Sequence, residues 1–60
     1  MKTKFPLQAK FIGYASTLVV SFTDEHKGTV VTGDEVHEAG EYSEHWTSCL
    51  SHNLWEVIKP

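Results

Sequence analysis

The sequence predicts an all-β fold, and three observations carry that prediction. Apolar and polar residues alternate with a period of two in several short runs. Glycines and other turn formers separate those runs. The one stretch with apolar residues at helical spacing is rich in serine and threonine, which favour turns and caps over helix interiors. The expected architecture is a small antiparallel SH3-like barrel or a strongly bent five-stranded sheet, with at most one short helical turn near residues 43–47. An α+β arrangement with a helix over residues 42–52 is the alternative.

Each element follows in order along the chain. In LQAKF, Leu7, Ala9 and Phe11 point one way, with Gln8 and Lys10 opposite. In TLVVSFT, Leu18, Val20 and Phe22 share a face. The connection IGYAS, with Gly13, reads as a tight turn or bulge, and TDEHKG as the next turn, with Asp24 and Gly28 as its turn residues. GTVVTG is a β-branched strand between Gly28 and Gly33, and GDEVHEAGEY reads as a strand pair bent around turns. NLWEVIKP is the last strand, with Trp55 and Val57 on one face. Between them, Tyr42, Trp46 and Leu50 recur every four residues, but Ser43, Thr47, Ser48 and Ser51 limit any helix to one turn that Ser43 would cap. The expected core is Leu7, Phe11, Leu18, Val20, Phe22, Val30, Val36, Trp46 and Trp55, with Tyr42 partly buried. Barrel closure would also remove exposed sheet edges.

Composition bounds the function. Sixty residues make a single small domain, residues 1–60, and such a chain has only a few kcal/mol of stability to spare. The lone Cys49 rules out an internal disulfide and fits a reducing, cytosolic setting. Lys10 and Gln8 interrupt the N-terminal apolar residues, so neither a signal peptide nor a membrane span is expected. The chain has a formal net charge of −3 and no arginine. Nucleic-acid binding through Lys2, Lys4 and Lys10 is therefore disfavoured, because phosphate contacts need a clustered basic face.

Three constellations are candidates for function. His45, Cys49 and His52 stand four and three residues apart, and on a helix they would offer two imidazoles and a thiolate to zinc, with His37, Glu38 or Glu41 as a fourth ligand. No CxxC pair accompanies them, so the expectation is no metal, with scattered polar histidines and a small buried cysteine. Cys49 with His45, His52 and Glu44 contains the parts of a nucleophilic site, but so small a domain has little room for a preorganised, water-excluding pocket, and no enzyme activity is expected. The acids Asp34, Glu35, Glu38, Glu41 and Glu44 form the third group. Alternation alone would send them outward while Val36, Tyr42 and Trp46 turn inward. A docking patch for a basic surface is the functional reading. Tyr14, Tyr42 and Trp46 beside Glu41 and Glu44 would suit a peptide groove of the kind SH3-like barrels use.

The order VVSFTDEHKGTVV, then GEYSEHW, then WEVI resembles a pattern in small proteins encoded by tailed bacteriophages. That pattern runs V-V-x-F-T, E-G-T-V-V, G-E/D-Y-S-x-x-W and W-E-P-I, and it would cover Leu18 to Ile58. Lys27 and Val57 depart from it, standing where an acid or polar residue and a proline are common. The resemblance carries no catalytic residues. It implies a phage protein acting in the host bacterial cytoplasm by binding and redirecting a host protein. The preferred expectation is a non-enzymatic module that modulates or inhibits its target through Glu35, Glu38, Glu41, Tyr42, Glu44, Trp46 and Tyr14. A zinc-stabilised domain and a self-associating component of a phage assembly are the alternatives.

Overall fold

The computed structural model describes residues 4–13 and 17–59. Five strands form one antiparallel sheet: β1 (Leu7–Phe11), β2 (Val19–Phe22), β3 (Gly28–Thr32), β4 (Tyr42–Ser43) and β5 (Trp55–Lys59). Their order across the sheet is β4-β3-β2-β1-β5. The sheet does not close into a barrel, since β4 and β5 remain its two edges. Register shifts at Gln8/Ala9 and at Val19/Val20 interrupt two of the ladders. Such bulges bend and twist a sheet without needing it to close.

Alternation sets the inner face. The pairs Leu7↔Phe22, Ala9↔Val20, Val20↔Val30 and Phe11↔Trp55 put the apolar members of four strands side by side. The opposite face carries Lys10 beside Glu56 and a row of Gln8, Ser21, Thr29 and Tyr42. That is the half-solvated pattern of an antiparallel sheet packed on one side only. The inner face is covered by the irregular segment 44–54, which adds Trp46 and Cys49 to the buried set. Phe22 meets both tryptophans edge-on, with ring centroids 6.4 Å from Trp46 and 5.0 Å from Trp55. Trp46 and Trp55 stand at 90° to each other, 6.2 Å apart. Edge-to-face packing of this kind is the favoured arrangement of aromatic quadrupoles.

Neither the helical turn at 43–47 nor the helix over 42–52 is present. The reason is local. Ser43 Oγ accepts the amide of His45, and Ser48 Oγ accepts the amide of Leu50, so each serine turns the chain two residues on. These bonds compete directly with the helical ladder. The segment instead docks on the β2–β3 turn. Trp46 and Cys49 donate their amides to the carbonyls of His26 and Glu25, and Ser48 Oγ donates to Glu25 Oε2 at 2.5 Å. The His26 ring closes the clamp at 2.8 Å from the Trp46 carbonyl, and because a carbonyl only accepts, Nδ1 carries the proton.

The strand pair expected in GDEVHEAGEY is a folded loop with a two-residue strand at its end. Asp34 Oδ1 accepts the amides of Val36 and His37 at 2.9 and 2.8 Å, and the Asp34 amide donates back to the His37 carbonyl. A tight turn follows, in which the Glu41 amide reaches the Glu38 carbonyl and Gly40 takes φ 92°. A positive φ at this third position is what a type II turn demands, and glycine meets it without steric cost. Val36 is therefore 73% exposed on the loop rather than in the core, and Tyr42 is 53% exposed on the edge strand.

Candidate functional site

The four glutamates Glu35, Glu38, Glu41 and Glu44 are all exposed. Glu35 and Glu38 sit on the β3–β4 loop, while Glu41 and Glu44 flank β4 on either side. Among the described residues the ion pairs all involve histidine, Glu25 with His26 and Asp34 with His37, so no lysine neutralises this group. Lys10 and Lys59 lie on β1 and β5, on the other side of the sheet. Lys27 also stands beside the β4 edge, since it precedes Gly28 and Gly28 pairs with Ser43, and Glu56 faces Lys10 at the opposite edge. Asp34 stands apart from the other acids. Its side chain is only 6% exposed and it organises the loop rather than the surface.

Tyr42 lies within the acidic edge. It pairs with Thr29 on the outer face, and its hydroxyl donates to Glu44 Oε2 at 3.1 Å. Lost hydration, then the hydrogen bond and charge of Glu44, then the charge of Asp24 hold its phenol above the ordinary value, so at neutral pH it is a proton donor. Trp46 is placed differently. Nine-tenths of it is covered, and its Nε1 donates to the Gly28 carbonyl at 2.9 Å, so it anchors the core beneath the acidic edge. Tyr14 lies outside the described residues.

The spacing of His45, Cys49 and His52 does not produce a shared face, because the helix it requires is missing. Cys49 points into the core while His45 and His52 are exposed. Among the described residues no three of His, Cys, Asp and Glu converge as metal ligands. The Cys49 thiol is pushed up from its ordinary range by burial, against the pull of its own backbone amide, with the charges of Glu25 and Asp24 adding to the rise. A raised thiol keeps its proton in the fold longer than in the unfolded chain. Its contribution to stability is therefore complete below the ordinary thiol pKa and is lost as pH climbs above it. Ellman's reagent is expected to label the native protein at pH 8 orders of magnitude more slowly than the denatured chain. Equal rates would place Cys49 at the surface.

Sequence reasoning missed the ring contact between His37 and Trp46, whose centroids lie 5.2 Å apart. It also missed the clamp from Glu25 and His26 to residues 46–49. Neither has a periodic signature, since both join irregular segments distant in sequence. Among the described residues no helix is long and apolar enough to cross a membrane. Comparison with models of known protein families, with curated protein sequences and with solved structures finds no match.

Proposed function

We propose that this protein is a non-enzymatic binding module that docks on a basic surface of another protein through the β4 edge. The observation that carries the reading is the exposure of Glu35 and Glu38 on the β3–β4 loop and of Glu41 and Glu44 beside β4, with no lysine partner among the described residues and with Glu44 bonded to Tyr42. Unpaired carboxylates at one edge create a local negative potential that steers a basic partner and sets its register. Tyr42 adds a rigid, amphipathic contact of the kind that concentrates binding energy. The resemblance to small phage proteins makes a bacterial host protein the natural target, with modulation or inhibition by occlusion as the outcome in the host cytoplasm.

Reversing the charge with Glu38→Lys and Glu41→Lys is expected to weaken partner capture from bacterial lysate by about tenfold or more, and 0.5 M salt should weaken wild-type capture similarly. The melting temperature should be unchanged, since both side chains are exposed. Capture that survives both the reversal and the salt would remove the acidic edge from the account.

A further inference from the structure

A cavity of about 200 Å³ opens on the inner side of the sheet, walled by Phe11, Trp46 and Trp55, with His37, His45 and Thr47 supplying its polar lining. We propose that this cavity is a binding site for a single neutral phenol ring, an inference that does not depend on the β4 edge.

Size is the first argument. A cavity of about 150 Å³ accommodates a single benzene ring, whereas sites for larger molecules run to about 300–1,000 Å³. The space here suits one ring with one small substituent. The walls are the second argument. Trp46 and Trp55 stand at 90° with their centroids 6.2 Å apart, and Phe11 meets Trp55 at 69° and 5.1 Å. His37 lies tilted against Trp46 at 5.2 Å. Rings set across one another present both faces and edges, so a planar guest extends packing that the core already uses.

Charge is the third argument. No acidic residue and no lysine lines the cavity. An ion entering it would lose hydration without gaining a counter-charge, so the guest is neutral. Hydrogen bonding then sets the guest's polar handle. Trp46 Nε1 is already committed to the Gly28 carbonyl, and Trp55 Nε1 has no accessible surface, so neither indole donates to a guest. His37 Nδ1 lies 3.2 Å from Asp34 Oδ1, which also accepts two amides. A carboxylate accepts, so in the neutral ring Nδ1 carries the proton and Nε2 is left as the acceptor. The lining histidine therefore answers a guest that donates. A phenol combines the ring that the walls fit with the O–H that this acceptor takes.

The test is a titration of the ¹⁵N-labelled full chain with phenol at pH 8, where phenol and imidazole are both uncharged. The indole N–H signals of Trp46 and Trp55 are followed. Anisole, which keeps the ring and cannot donate, and cyclohexanol, which donates and lacks the ring, are the controls. Phenol is expected to shift both signals saturably, and each control to bind about tenfold more weakly. His37→Phe retains a ring beside Trp46 without the acceptor, and it should bind phenol and anisole equally. Thr47→Phe, at an exposed wall position, is expected to abolish the response with an unchanged melting temperature. A comparison of p-cresol with acetyl-tyrosine-amide separates the two sources of such a ring. Tighter binding of the amide assigns it to a polypeptide, and tighter binding of p-cresol to a free molecule. No saturable shift with phenol, equal binding of either control, or a full response in Thr47→Phe would each overturn the site. The acidic-edge reading is judged separately by the Glu38 and Glu41 reversals, so failure of one is distinguishable from failure of the other.

Discussion

Trp46→Phe is expected to lower stability by about 2–4 kcal/mol, through loss of ring volume and of a buried hydrogen bond together. The indole Nε1 of Trp46 donates to the Gly28 carbonyl, and its ring meets Phe22, Trp55 and His37. Trp55→Phe makes the complementary case. Its Nε1 is buried without a partner among the described residues, and an unmade bond of that kind costs about 1–3 kcal/mol. Removing it offsets much of the lost packing, so Trp55→Phe should cost about 1 kcal/mol or less, by the same reckoning. Urea unfolding of the two variants decides the matter. Equal losses would mean that the Trp46–Gly28 bond contributes nothing. For a domain with only a few kcal/mol in reserve, the first substitution leaves a marginal fold and the second a sound one.

Gly28→Ala is expected to cost about 1–3 kcal/mol by overpacking. A Cβ at this position would stand 2.7 Å from the Ser21 carbonyl oxygen, 2.7 Å from Val20 Cγ1 and 3.2 Å from Phe22 Cα. The Ser21 oxygen and Phe22 Cα are backbone atoms of the paired strand, so relief means spreading β2 from β3. It also moves the carbonyl that holds Trp46. In an open strand the same change would stabilise by about 0.5–1 kcal/mol, because glycine loses more freedom on folding. The sign of the measured change therefore reports the close approach directly, and a gain in stability would show that the two strands are further apart at this point.

The sheet was legible wherever a residue's environment is set by its strand neighbours. Leu7, Val20, Phe22 and Val30 lie inside as alternation requires, and the strands containing them fall where the runs do. Val57 shares the face of Trp55 by register but stays exposed, because the covering segment protects only the first residue of the edge strand. Legibility ended in the segments that bond to themselves. Asp34, with the turn at Gly40, folds residues 33–41 into a loop, although Val36 and Tyr42 looked like inward members of a strand pair. Burial of Cys49 was expected from its chemistry, but the contact that places it, the bond of its amide to Glu25 twenty-four residues earlier, has no periodic signature. For the site, exposure of the four glutamates was readable from their chemistry. The burial of Trp46 was readable as core, and its assignment to the contact surface came from composition rather than geometry. The cavity between His37 and His45 needed three dimensions.

The pairing of β1 with both β2 and β5 bears on how the molecule is made. As the chain leaves the ribosome, β1, β2 and β3 can pair with their immediate successors. The far side of β1, from Gln8 to Phe11, has no neighbour until Trp55–Lys59 has been synthesised. Pairing across so long an interval is slow compared with closing a hairpin. Until then Phe11 lacks the ring it packs against, whose centroid lies 5.1 Å away in the finished fold. Until β5 pairs with it, the far edge of β1 is bare, and this is the interval in which misassembly threatens the chain most.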